Sequence, residues 1–190
     1  MEDIINHLLQ YGQLNPQQVD LIKNSFKSVE LGIGSYFSQA GKIANQVAFV
    51  QNGILRVCYY NKEGEEITRY FIDENNFVVD LNSYNLQIPS CEYIQAIVPT
   101  QLLVFHRDQL KTLADTIITW DKIIGKITSK ALMEKVNRIS PMLSEDAKTR
   151  YVKFHNRFPT LVNRIPLNHL ASYIGITKNS LSRIRKEIVK

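Results

Sequence analysis

Apolar residues along this 190-residue chain change their spacing three times. In residues 1–28 they recur at helical steps, with Ile4, Ile5, Leu8 and Leu9 in one stripe and Val19, Leu21, Ile22 and Phe26 in a second. Leu14 with Asn15-Pro16 between them has the form of a helix start. From Ser28 to about His106 the periodicity shortens to runs rich in Val, Ile, Phe and Tyr, separated by Gly, Asn and Pro. Gln51-Asn52-Gly53 and Asn61-Lys62-Glu63-Gly64 are hairpin-turn signals between such runs. That spacing favours an antiparallel sandwich or barrel over βαβ units.

A helical pattern returns from about Asp108 to Ile139, through Leu110, Leu113, Ile117, Trp120, Ile123, Ile124, Ile127, Ala131, Leu132 and Val136. One helix of that length cannot bury its whole apolar stripe on a small barrel. The stripe therefore predicts a second copy of the chain as its partner, with Ile117, Trp120, Ile124, Ile127 and Ala131 on the dimer face. Ser140-Pro141 is the expected end of this helix, because proline lacks an amide donor and disfavours helical geometry before it. The predicted division is a β domain over residues 1–107, a long helix over 108–140 and a C-terminal domain over 141–190. The fold class is α+β, an antiparallel β-roll with flanking helices.

Within the last segment, Ser144-Glu145-Asp146 starts a helix running to about Phe158-Pro159. Leu167, Leu170, Ala171 and Ile174 then form one face of a two-turn helix, and Gly175 supplies a sharp turn. Thr177 follows at an N-cap position, with Leu181, Ile184 and Ile188 as the buried face of another helix. Helix, glycine turn and capped helix make a helix-turn-helix. Its outward face carries Lys178, Asn179, Ser182, Arg183 and Lys186. Arg donates in a fork to guanine and Asn pairs with adenine, so Lys178, Asn179 and Arg183 are the candidates for base readout. Asn168, His169, Thr177, Ser180, Ser182 and Lys186 are the candidates for phosphate. Arg185 lies near the packed side and is assigned to a backbone contact or a salt bridge.

Charge strengthens this picture. Residues 144–190 carry ten Lys or Arg against three Asp or Glu, and residues 1–143 carry thirteen against fifteen, so a segment of +7 follows a body of −2. A basic quarter on a nearly neutral body points to a polyanionic partner. Two cysteines, Cys58 and Cys91, supply neither a disulfide framework nor a four-thiolate cluster. His7, His106, His155 and His169 are isolated, which argues against a cupin-type metalloenzyme and against any resident cofactor or metal. No nucleophile motif is present. The N-terminus lacks a signal peptide's basic start, and no apolar run spans a bilayer, so a cytoplasmic location without membrane contact is expected.

VQNGILRVCYYNKEGEEITRYF, from Val50, and LASYIGITKNSLSRIRKEI, from Leu170, together resemble the Crp/Fnr family of bacterial transcription regulators, over nearly the whole chain. The resemblance implies a cyclic-nucleotide-binding-like β-roll (a double-stranded β-helix), a dimerisation helix and a winged helix-turn-helix that reads bases from positions matching Lys178, Asn179 and Arg183. It also implies DNA, a second copy of the chain and RNA polymerase as partners, with a small-molecule effector. The sensor half departs from the pattern of members that bind cAMP. Val79-Asp80 stands where Gly-Glu would hold the ribose, and Ser90-Cys91 stands where Arg-Ser would hold the phosphate. No Lys or Arg occurs between Arg69 and Arg107. An unpaired buried phosphate is costly, so cAMP is not the expected ligand. A pocket for another small anion would draw on Arg56, Arg69, Val79, Asp80, Leu81, Ser90 and Cys91. The sequence ends soon after the recognition helix, which places any wing strands before it, around residues 158–166. The alternative reading is an effector-binding sensor module whose DNA binding is weak or lost.

Overall fold

The computed structural model describes residues 2–188, apart from the side chains of residues 138–143. Two short helices, α1 (Glu2–Leu9) and α2 (Pro16–Lys23), precede the β region. A capping box opens α2: the Asn15 side chain accepts from the Gln18 N–H at 2.9 Å, and Gln18 Oε1 accepts from the Asn15 N–H at 2.9 Å. The strands are β1 (Lys27–Leu31), β2 (Tyr36–Ser38), β3 (Gln46–Asn52), β4 (Leu55–Tyr60), β5 (Glu66–Ile72), β6 (Phe77–Val78), β7 (Tyr93–Ala96) and β8 (Thr100–His106), with helix α3 (Leu81–Leu86) between β6 and β7.

They form two antiparallel sheets, ordered β1-β8-β3-β6 and β2-β7-β4-β5. Ala48, Val50, Leu102 and Val104 of the first face Leu55, Val57, Ile94 and Ala96 of the second, and all are buried. The outer face of the first sheet is equally dry. Phe49, Leu103 and Phe105 pack there on Ile4, Leu8, Ile22 and Leu113. Burial on both faces is why β8 reads as a continuous apolar run, LLVF, rather than an alternating one.

The two turn signals have different outcomes. Asn61–Gly64 closes a true hairpin between β4 and β5, with the Asn61 side chain accepting from the Glu65 N–H at 2.8 Å. Gln51-Asn52-Gly53 does not close a hairpin: β3 pairs with β6 and β8, while β4 belongs to the other sheet. Gly53 instead turns the chain from one sheet to the other at φ +104°. A left-handed glycine serves a corner as well as a hairpin, so the local signal does not distinguish them.

The predicted single long helix is two: α4 (Arg107–Thr116) and α5 (Trp120–Ser144). Ile117 caps α4 in an extended conformation and is fully buried, whereas Ile118 is 99% exposed. The break turns Ile117 and Trp120 into the chain's own core beside Ile123, so neither is on a dimer face. Ile124 and Ile127 are half-buried against the same cluster, and only Ala131 of the predicted set is exposed. The outward apolar residues of α5 are Leu132, Met133 and Val136; Ile139 lies outside the described side chains. The helix also runs past the predicted stop at Ser140-Pro141, to Ser144, leaving Pro141 in its last turn.

Three helices complete the chain: α6 (Ala147–Arg157), α7 (Leu167–Ile174) and α8 (Lys178–Ile188). Residues 158–166 are turns, so no strand pair precedes the motif. Phe158 and Leu161 anchor that segment by local backbone bonds, Phe158 N–H to Phe154 C=O at 2.8 Å and Leu161 N–H to Phe158 C=O at 3.1 Å. Among the described residues no helix is long and apolar enough to cross a membrane.

Candidate DNA-binding surface and sensor site

The helix-turn-helix geometry follows from a few residues. Gly175 takes the left-handed conformation, φ +80°, and its N–H reaches the Ala171 C=O at 2.9 Å, while the Ile176 N–H reaches the same carbonyl at 3.0 Å. Thr177 caps α8: its hydroxyl oxygen accepts from the Ser180 N–H at 3.2 Å, and the Thr177 and Ser180 hydroxyls lie 3.0 Å apart. Arg150 on α6 ties the bend down by donating from Nε to the Ile174 C=O at 3.0 Å. Leu170, Ala171, Ile174 and Leu181 are buried with Tyr151, Phe154 and Leu161. Ile184 is half-buried, but Ile188 is 41% exposed, so the buried face of α8 ends one turn earlier than the periodicity predicts.

With that face turned inward, Lys178, Asn179, Arg183 and Lys186 are exposed together on the opposite side of α8, and Ser182 is half-buried between them. Arg185 donates to Asn163 Oδ1 at 3.4 Å, a side-chain contact that is neither the backbone contact nor the salt bridge expected for it. Thr177 and Ser180 are occupied in the cap itself. Asn168 is exposed, but His169 is not free: its Nδ1 lies 2.8 Å from Arg56 Nη1 of β4. The whole α7 face is docked on the roll. The Ser172 hydroxyl accepts from the Thr68 N–H at 2.9 Å and donates to the Glu66 C=O at 3.2 Å. Ile54, Phe71 and Ile97 of the roll share one apolar cluster with α6, α7 and α8.

The residues predicted for an effector pocket do not converge. Arg56 is 3% exposed and lies between Glu66 Oε1 at 2.6 Å, Gln95 Oε1 at 2.6 Å and His169. Its guanidinium is fully engaged inside the protein, and its charge is already neutralised, so it is no free receptor for a phosphate. Asp80, Ser90 and Arg69 belong to a second cluster joined by Glu92, which periodicity did not mark. Asp80 caps α3, accepting from the Asn82 and Ser83 N–H groups at 3.1 Å, and the Ser90 hydroxyl donates to its other oxygen at 2.6 Å. The Glu92 N–H donates to Ser90 Oγ at 3.1 Å, and its carboxylate pairs with Arg69. Asp80 and Glu92 thus bring two carboxylates to this cluster, and Arg69 is paired with one of them. Val79 is half-buried, while Leu81 and Cys91 are exposed. A cleft of about 180 Å³ lies nearby, lined by Tyr36, Phe37, Ser38, Lys42, Asn45 and Asp80 among others. Of the predicted pocket residues it includes Asp80 alone.

The cysteines differ. Burial pushes the Cys58 thiol up to about 11, with Arg56 opposing and Glu66 reinforcing the shift, so it is protonated at neutral pH. Among the described residues no three His, Cys, Asp or Glu side chains gather as a metal site.

Residues 28–116 match the family model of the cyclic nucleotide-binding domain. Solved structures extend the likeness beyond this domain into the C-terminal helices. The c-di-GMP responsive global regulator CLP of Xanthomonas campestris is 14% identical, with 92% of this chain and 91% of that one covered at a TM-score of 0.73. A putative transcriptional regulator of the Crp/Fnr family from Eubacterium rectale is 16% identical, covering 92% and 83% at 0.69. The Thermus thermophilus catabolite activator protein is 18% identical, covering 96% and 86% at 0.60. At such identities the likeness shows the fold, which is the one the Crp/Fnr resemblance implied. No curated protein matches the sequence.

Sequence reasoning missed Glu66, Gln95, Thr68 and Ser172, the partners that surround Arg56 and α7. Glu66 and Thr68 do alternate on the strand opposite Arg56, a period-2 signal. Nothing local links them to Ser172, which is 104 residues from Thr68.

Proposed function

We propose that this chain is a dimeric, cytoplasmic, sequence-specific DNA-binding transcription regulator of the Crp/Fnr type. The observation that carries the reading is the exposed face of α8: Lys178, Asn179, Arg183 and Lys186 emerge together from a capped helix held by Leu181. Lys178, Asn179 and Arg183 read base edges, and Lys186 with the α8 N-terminus holds phosphate. The domain boundary follows the helix end, so the DNA-binding part begins with α6 rather than at residue 141. No step of this function needs an enzyme's groups.

The dimer contact is an exposed face of α5. Gly125, Ser129, Leu132 and Val136 share one face at steps of four, three and four residues, and all are exposed. A Cβ at Gly125 would meet nothing within 4 Å, so a second helix can approach closely there. Two copies of α8 then enter successive major grooves about 34 Å apart, which sets a palindromic site.

The sensor domain does not take cAMP, because Ser90-Cys91 replaces the Arg-Ser pair that would hold the phosphate, and Arg69 is already paired with Glu92. One of the structural neighbours is c-di-GMP responsive. For this chain the Asp80–Ser90–Glu92–Arg69 cluster, with Arg69 already paired to a carboxylate, disfavours a phosphodiester in that position. Fluorescence anisotropy of a labelled duplex of about 30 base pairs, with excess unlabelled random DNA, tests the reading. Binding that survives the competitor and weakens steeply with salt supports it. Absence of binding at low salt leaves the sensor-module alternative. Calorimetry with cAMP is expected to show no heat, and a low-micromolar affinity contradicts the sensor assignment.

A further inference from the structure

The contact between α7 and the roll is closed by a hydrogen bond whose direction is fixed by chemistry. Arg56 Nη1 is 2.8 Å from His169 Nδ1. A guanidinium only donates and keeps its proton in proteins, so Nδ1 accepts with its lone pair. The docked imidazole is therefore neutral, with its proton on Nε2. Protonation would place a second N–H at Nδ1, donor against donor and cation against cation. The bond cannot outlast that change.

The other groups around the ring do not alter the sign. Arg56 comes from β4, and Glu66 comes from β5 with its carboxylate already 2.6 Å from Arg56 Nη2. On α7 itself the neighbour is the neutral Asn168 amide at 3.5 Å. Burial holds the His169 pKa below its usual value and Arg56 adds to this, with Glu66 opposing. The docked state thus excludes a proton that the free ring accepts near pH 6.5.

We propose that Arg56–His169 is a proton-operated latch, holding the helix-turn-helix on the roll while His169 is neutral and freeing α7 when it is protonated. Docking is at full strength above about pH 6.5 and weakens as pH falls below it, by up to about tenfold per unit until the docked group itself titrates. Release has a second consequence, which rests on the DNA-binding reading above. One ring cannot serve both Arg56 and a phosphate, so the docked state withholds a side chain from DNA. The released state offers it as a cation at the N-terminal end of α7.

The Thr68 N–H, which reaches Ser172 across the same contact, reports docking by hydrogen exchange in the full chain. In the wild type its protection factor is expected to fall as pH drops below about 6.5 and to level off once the docked His169 ring, followed by NMR, itself titrates. In His169→Gln it stays flat, because an amide oxygen accepts from Arg56 without titrating. Ser172→Ala lowers Thr68 protection at every pH, which ties that amide to the contact. Thr68 protection that is constant between about pH 7.5 and 5.5 in the wild type, or that falls equally in His169→Gln, overturns the latch. These readouts need no DNA, so a failure to bind DNA leaves the latch standing. The affinity of the wild type for a random duplex, relative to His169→Gln, rises on acidification if release exposes the phosphate contact. An unchanged ratio removes that consequence.

Discussion

Gly53→Ala should cost far more than its size suggests, and the structure says why. The residue sits at φ +104°, where an L side chain is strained by about 1–2 kcal/mol. A Cβ there would also lie 2.5 Å from Thr100 Oγ1 and 2.6 Å from both the Pro99 C=O oxygen and Thr100 Cα. Two of those three atoms are backbone, so the corner itself must move. Overpacking of this kind costs about 1–3 kcal/mol, for a total of about 2–5 kcal/mol. Displacement would propagate: the Gly53 N–H donates to Glu74 Oε1 at 2.8 Å, Glu74 pairs with Arg164, and Ile54 belongs to the apolar cluster beneath the helix-turn-helix.

Gly64→Ala is the control, because Gly64 is at φ +79° with nothing within 4 Å of a Cβ. It carries the strain without the clash. For a chain of this length, thermal unfolding should place Gly53→Ala roughly 5–15 °C below the wild type and Gly64→Ala only a few degrees below. Equal losses in the two variants would refute the steric argument.

Leu132→Glu with Val136→Glu puts carboxylates on the outward stripe of α5 and should yield monomers by sedimentation velocity, with the unfolding midpoint of the roll little changed. A dimer that persists in this variant contradicts the contact proposed for α5. In a thiol titration of the folded chain at neutral pH, exposed Cys91 should react quickly. Cys58, buried and pushed up to about 11, should react only on unfolding. Two fast thiols would mean that the sheet beside Arg56 is open. Glu74→Gln should lower the thermal unfolding midpoint at neutral pH, with the gap to wild type closing as pH falls; a gap that stays constant into acid contradicts the assignment. Burial raises the Glu74 pKa, but bonds from Arg164 and the Gly53 N–H outweigh it and leave the value lowered. Its contribution is therefore present above the ordinary carboxylate range, lost as pH falls through the folded value, and absent from the variant at any pH.

The parts of this molecule that sequence foretells are those governed by neighbours a few residues apart. Asn15, Thr177 and Gly175 act through hydrogen bonds within one turn, so the helix starts and the helix-turn-helix were legible. The face of α8 is legible for the same reason, since Leu181 fixes by periodicity which side Arg183 occupies. Periodicity fails where two geometries keep the same apolar face. Ile117, Trp120 and Ile124 stay in phase across the break between α4 and α5, so they looked like one dimer stripe although Ile117 and Trp120 fill the chain's own core and Ile124 packs against it. Gly53 failed because a sheet-to-sheet corner and a hairpin both need a positive φ. The sensor site was legible only in what it lacks. That Arg56 is engaged by His169, 113 residues away, depends on the docking of α7, and no local pattern encodes it.

Base readout by α8 is the central claim, and a single comparison tests it. A palindromic site would be selected from random duplexes by the wild-type chain, and the affinity ratio of that site to random DNA measured at one salt concentration for wild type and Arg183→Ala. Loss of one forked contact per half-site, each worth about 1–3 kcal/mol, should collapse the ratio by at least tenfold while binding to random DNA changes much less. An Arg183→Ala chain that keeps the wild-type ratio would contradict the account.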